Sequence, residues 1–197
     1  MITHRPNLKK KILVIDNYDS FTYNLLQIVE ELHHDYSIIK NDQLSLETVE
    51  EFSKIIISPG PGLPSEAGLI KEVISKFAAS KSILGVCLGH QAIVDVFGGE
   101  LINFPVVNHG ISTRVKIICP EDYLFENMPE EFEAGLYHSW AASTNNFPEC
   151  LKITSVSKDN VIMSVSHIEY DLKGVQFHPE SIMTKHGAQI IGNWLRH

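Results

Sequence analysis

Three short runs, "KILVID" (11–16), "KIIIS" (54–58) and "SILGV" (82–86), are apolar at nearly every position and show no polar alternation. A strand with one wet face alternates, whereas a strand buried on both faces does not, so these runs read as central strands of a parallel sheet. Helical spacing fills the gaps between them. Phe21, Leu25, Ile28, Val29 and Leu32 form one stripe, with Asp19 or Ser20 placed to cap the helix. "DYSIIK" (35–40) reads as a further strand and "LETVEEF" (46–52) as a short helix. A helix over 66–79 buries Leu69, Ile70, Val73, Ile74 and Phe77, and another runs from Leu88 to Phe97 and stops at Gly98 and Gly99. This alternation predicts an α/β fold, an open, mostly parallel sheet with helices on both faces.

The second half changes character. "STRVKII", "LKITSVS", "VIMSVSHIE" and "KGVQF" succeed one another with no long helix between them, which predicts additional antiparallel strands at the sheet edge or in a flap. A last helix near 184–196 places Ala188, Ile191, Trp194 and Leu195 on one face. No repeat or linker interrupts the 197 residues, so 1–197 reads as a single domain, with residues 1–10 and their His4 a loose N-terminal extension.

A net charge of -8 argues against a general nucleic-acid or anionic-membrane binder. The start of the chain lacks the apolar length of a secretory signal, and no run approaches a membrane span. Three cysteines are too few for a disulfide framework and point to reduced thiols, so the expected location is cytoplasmic.

Cys87 is the exception among them. It falls where the "SILGV" strand meets a helix, flanked by Gly85 and Gly89, at the strand's carboxyl end where α/β sheets gather their ligands. The free N–H groups and positive end of the following helix favour negative charge there, on the sulfur or on a substrate oxygen. That is the layout of a nucleophile elbow, with cysteine for serine. Cys119 and Cys150 have no glycine neighbours and no candidate base nearby, and read as small hydrophobes. The best base is His178 in "GVQFHPES" (174–181): it follows an apolar strand, Pro179 favours an extended conformation before it, and Glu180 then points the same way as the imidazole. His33, His34, His186 and His197 read as solvated helix positions, and no His/Cys spacing matches a zinc site, so no metal is expected. "SPGPG" (58–62) also follows a buried strand, a rigid loop whose N–H groups could face an oxyanion. "DNYDSFTYN" (16–24) has two readings: a helix cap with a packed Phe21–Tyr23 pair, or a loop facing a partner.

Together, "DNYDSFTYN", "SPGPG", "GVCLGHQAI", "YHS" (137–139) and "GVQFHPES" resemble the class I (triad) glutamine amidotransferases, and within them the glutaminase subunits of anthranilate and aminodeoxychorismate synthases. The resemblance implies a flavodoxin-like class I amidotransferase fold and hydrolysis of L-glutamine. Cys87 would be the nucleophile, His178 the acid and base, and Glu180 its orienting carboxylate. Backbone N–H groups of Gly60 and Leu88 would form the oxyanion hole. Gly60, Pro61, Gly62, Gln91 and the backbone of Ser139 and Trp140 would bind glutamine. It further implies no cofactor in this chain, Mg2+ in the partner, and a chorismate-binding large subunit (component I) as that partner. Two positions depart from the family pattern: Ile111 stands where lysine often follows "HG", and Trp140 where leucine often follows "YHS". Two other readings are an amidotransferase serving nucleotide or carbamoyl-phosphate synthesis, against which "DNYDSFTYN" and "SPGPG" speak, and a non-catalytic scaffold, against which the intact Cys87, His178 and Glu180 speak.

Overall fold

In chain order the elements are β1 (Ile12–Asp16), α1 (Thr22–Glu31), β2 (Tyr36–Lys40), α2 (Leu46–Val49), β3 (Lys54–Ile57), α3 (Ile70–Phe77), β4 (Ser82–Val86), α4 (Leu88–Val96), β5 (Leu101–Ile117), β6 (Glu131–Ala142), β7 (Leu151–Ser157), β8 (Ile162–His167), β9 (Leu172–Val175) and α5 (Gly187–Arg196). They come from a computed structural model that describes residues 12–197, the side chains of 105–108 excepted. The N-terminal extension and His4 lie outside the described residues. The strands form one nine-stranded sheet in the order β2-β1-β3-β4-β9-β8-β7-β5-β6. No helix among the described residues is long and apolar enough to cross a membrane.

The apolar runs behave as their composition requires. β1 and β3 are buried throughout, and their side chains divide between two cores by the strand's period of two. Ile12, Val14, Ile56, Leu84 and Val86 meet Leu25, Leu26 and Val29 of α1 and Ile190, Ile191 and Trp194 of α5. Leu13, Ile15, Ile55, Ile57 and Ile83 face Ile70, Val73, Ile74 and Phe77 of α3 and Ala92, Ile93 and Val94 of α4. Each such Val, Leu, Ile or Phe side chain contributes about 1.5–3 kcal/mol through its burial.

Several boundaries differ from expectation. α1 starts at Thr22 without a side-chain cap; the Asp19 carboxylate instead accepts the Phe21 N–H at 2.7 Å in a turn before the helix. Phe21 thereby leaves the helical stripe, and Tyr23 does not pair with it but is 68% exposed. The helix expected over 66–79 begins only at Ile70, because Pro64–Glu66 form a separate 3-10 turn, and Leu69 is half-buried. α2 stops at Val49, and in α5 Ala188 is exposed while Ile190 faces the core. Cys150 is half-buried, and His33 ends up in the left-handed turn after α1.

The larger corrections concern the second half. β5 begins at Leu101, eleven residues before "STRVKII", and pairs antiparallel with β6, a strand the apolar runs did not reveal. β9, expected to be antiparallel, is parallel to β4 and antiparallel only to β8. It is the seam between the parallel and antiparallel halves.

Close packing at the elbow depends on one glycine in particular. A Cβ on Gly89 would lie 2.6 Å from the Ile57 carbonyl oxygen and 2.9 Å from the Ile57 Cβ. Gly89→Ala is therefore expected to push α4 off β3 and to destabilise the fold by about 1–3 kcal/mol, read as a lower urea midpoint. An unchanged midpoint would show that the contact is not tight.

Candidate active site

The sheet order explains how residues remote in sequence meet. β1, β3, β4 and β9 are successive parallel neighbours, so their carboxyl ends share one edge. From that edge emerge "DNYDS" after β1, "SPGPG" after β3, Cys87 after β4 and "QFHPE" after β9. Cys87 has φ 51° and ψ −97°, a left-handed conformation rare for a side-chain-bearing residue and costing about 1–3 kcal/mol. It is held there by its N–H donating to the Val175 carbonyl at 2.8 Å and its carbonyl accepting from Gln91 N at 3.0 Å. The strain turns Cys87 out of the strand line and starts α4 directly behind it. The first-turn N–H groups, Leu88 among them, have no acceptor within the helix.

His178 is anchored through its backbone. Its N–H donates to the Gly135 carbonyl on β6 at 3.0 Å, and its carbonyl accepts from the Thr184 hydroxyl at 2.6 Å. Its Nδ1 lies 2.6 Å from Glu180 Oε1. A carboxylate can only accept, so Nδ1 carries a proton and Nε2 is the nitrogen left free to take or give one. Both residues are buried, at 2% and 7% exposure, and Nε2 makes no hydrogen bond. Burial opposes a charge on this ring, but Cys87 and Glu180 outweigh it and hold the imidazolium well above the ordinary histidine value. Phe21 and Tyr137 pack against the imidazole, with ring centroids 5.3 and 4.9 Å away.

The "SPGPG" loop is braced by the first loop. Asn17 donates from its backbone to Ser58 Oγ at 2.9 Å and from its amide to the Ser58 carbonyl at 2.8 Å, and its own amide oxygen accepts from Asn41 at 3.0 Å. A Cβ on Gly60 would lie 2.5 Å from Asn17 Cβ and 2.7 Å from Leu88 Cδ2, so only glycine lets this backbone sit against the start of α4. Gly60 and Leu88 are thus neighbours. The structural role of "DNYDSFTYN", missing from its composition, lies in Asn17 and Phe21.

A cavity of about 320 Å³ opens between these elements, lined by Gly60, Pro61, Gly62, Cys87, Gln91 and the β6 segment Tyr137–Trp140. Its size suits a small metabolite. The Gln91 amide nitrogen donates to the Trp140 carbonyl at 2.8 Å, which also accepts from His138 Nδ1 at 2.9 Å. That carbonyl has both lone pairs in use and takes no third donor. Of this wall the resemblance named Ser139 and Trp140, while Tyr137 and His138 of the same "YHS" motif were given no role. Among the described residues no cluster of His, Cys, Asp or Glu could hold a metal ion.

Two further buried histidines stay neutral. Burial pushes His90 down to about 3, helped by the neighbouring His138 ring, and burial pushes His138 down to about 4, helped by His178. A depressed folded value means that the unfolded chain binds the extra proton first. Stability is then full above about pH 6.5 and falls as the pH drops towards the folded values, by about 2 kcal/mol per histidine at pH 5. Urea unfolding at pH 7 and pH 5 checks this: His138→Gln is expected to lessen the loss, and an identical loss in that variant would refute its share.

A strained cysteine at a helix start and an imidazole with its carboxylate define apparatus able to cleave an acyl bond through a thioester. The family model described as Glutamine amidotransferase class-I matches residues 13–197, and the chain belongs to that family. It is 46% identical over 189 residues to anthranilate synthase component 2 of Pyropia yezoensis, covering 94% of this chain and 99% of that one. To the aminodeoxychorismate/anthranilate synthase component 2 of Bacillus subtilis it is 40% identical over 186 residues, covering 93% and 95%. The crystal structure of a glutamine amidotransferase from Thermotoga maritima shares the fold, with a TM-score of 0.72 at 17% identity over 95% of this chain and 81% of that one.

Proposed function

We propose that this chain is the glutaminase subunit of a chorismate-aminating synthase, forming anthranilate with a chorismate-binding large subunit. The observation that carries the chemistry is the strained Cys87 at the mouth of a small cavity beside the His178–Glu180 pair. His178 takes the thiol proton, and Cys87 Sγ attacks the side-chain amide carbon of glutamine. The oxyanion rests on the N–H groups of Gly60 and Leu88. The His178 imidazolium returns its proton to the amide nitrogen as the C–N bond breaks, releasing ammonia and leaving a glutamyl thioester. Water, deprotonated by His178, then attacks the thioester; glutamate leaves and the thiol is restored. Glu180 keeps Nδ1 protonated throughout. Gln91 and Ser139 meet the rest of the substrate.

The partner reading is supported by the names of the relatives and by exposed apolar residues beside the site, one in the first turn of α1 and one in the segment after Glu180. Tyr23 is 68% exposed two residues after Phe21, and Ile182 is 96% exposed two residues after Glu180. A second reading, aminodeoxychorismate formation or service to both synthases, is favoured by the Bacillus subtilis relative, whose name carries both activities.

Affinity capture of the full chain with mass identification of its large partner tests the assignment, followed by product analysis from glutamine and chorismate. Anthranilate is the expected product. Aminodeoxychorismate moves the assignment to the second reading, and capture of a nucleotide synthetase overturns both.

A further inference from the structure

Gln176, the first residue after β9, is completely buried and donates its main-chain N–H to the Met163 carbonyl at 2.8 Å. Its side-chain nitrogen lies 3.6 Å from Cys87 Sγ. We infer that Gln176 is a further catalytic residue, a neutral donor that holds the Cys87 sulfur while it carries negative charge; this rests on the reading of Cys87 as the nucleophile.

The orientation of the Gln176 amide follows from its neighbours. The Trp140 carbonyl can only accept, so the Gln91 side chain must turn its NH2 towards it, at 2.8 Å. The second hydrogen of that NH2 faces Gln176 Oε1 at 3.3 Å. Gln176 is then left with its own NH2 towards the sulfur; the reverse orientation would set two NH2 groups against each other. His138 donates to the same Trp140 carbonyl and fixes it from the other side. A chain of donors thus runs from the cavity wall to the nucleophile, and every partner in it is determined.

The chemistry needs such a group because His178 cannot serve the sulfur throughout. The imidazolium gives its proton to the departing nitrogen, and in the second half-reaction the sulfur leaves the acyl carbon as a thiolate. Gln176 transfers no proton. It stabilises the sulfur anion before attack and again as it departs, from a side chain that is itself completely buried. One hydrogen bond to a charged group corresponds to about a tenfold effect or more on the equilibrium it favours.

The test is alkylation of the full chain by iodoacetamide across pH, mapped to Cys87 by mass spectrometry, with glutaminase kinetics alongside. In Gln176→Leu the pH of half-maximal alkylation is expected to rise by about one unit, and kcat to fall about tenfold, while KM for glutamine stays near its original value. Gln176→Glu keeps an acceptor for Gln91 but sets an acceptor against the sulfur, and should lose more. Folded variants with the unaltered alkylation profile overturn the inference. A measurement on the unsubstituted chain does not depend on the variants folding: the Gln176 side-chain NH2 resonances should titrate together with Cys87 alkylation, and flat resonances overturn the inference equally. If Cys87 of the unsubstituted chain resists both iodoacetamide and a glutamine-like electrophile, the nucleophile reading itself fails; if it reacts and Gln176 has no influence, only the present inference falls.

Discussion

Cys87→Ser is expected to abolish glutamine hydrolysis, lowering kcat/KM by about a thousandfold or more, while the chain stays folded and docked. The substitution changes one atom in a side chain that is 6% exposed, and the new hydroxyl can still accept from Gln176. The elbow's backbone strain is therefore retained, and only the nucleophile is lost. A hydroxyl gives up its proton far less readily than a thiol, and the His178–Glu180 pair, suited to a thiolate–imidazolium couple, cannot make up that difference. If the proposed function holds, amination of chorismate by added ammonia should persist in the assembled synthase, since that step would belong to the other subunit. Steady-state assays with glutamine and with ammonium salt separate the two activities. Undiminished glutamine-dependent product in the variant would remove Cys87 from the mechanism.

Glu180→Gln should cost nearly as much, about a hundredfold to a thousandfold or more in kcat, with little change in KM. The Glu180 carboxylate meets His178 Nδ1 at 2.6 Å, and its second oxygen is buried without a hydrogen-bond partner. An amide in its place has no acceptor for its NH2 on that side, so it is driven to turn the NH2 towards the imidazole and invert the tautomer. It also removes the negative charge that helps keep the His178 imidazolium stable. The alkaline limb of the kcat/KM profile should accordingly move to lower pH. A variant with slowed turnover but an unmoved pH profile would reduce Glu180 to a packing role.

Local chemistry made much of this readable. The apolar runs announced β1, β3 and β4, because a strand buried on both faces keeps polar side chains to its ends, as Asp16 and Lys54 are here. The glycines beside Cys87 marked the elbow, since a strand can turn at once into a tightly packed helix only where bulk is missing. Other features were obscured. β6 carries Gly135 and His138 and no β-branched run, and its one signal was the alternation of Glu131 and Glu133 with Phe132, Ala134 and Leu136. One of the two readings of "DNYDSFTYN" packed Tyr23 on Phe21; Tyr23 is solvent-exposed, whereas Phe21 left its helix to pack on His178. Gln176 showed no special composition; its contact with the sulfur depends on Gln91 and Trp140, which arrive from two other elements.

The amino-acid order by itself determined which segments are buried, where the chain must turn and which residue types stand at the turns, because hydrophobic periodicity and backbone freedom act over a few residues. Which strand lies beside which was decided only in three dimensions. β9 docks parallel to β4 and leads His178 to Cys87, and β6 crosses to close the cavity. Those pairings are settled by hydrogen-bond register and the joint burial of surfaces far apart along the chain, a competition among whole arrangements that no short stretch can encode.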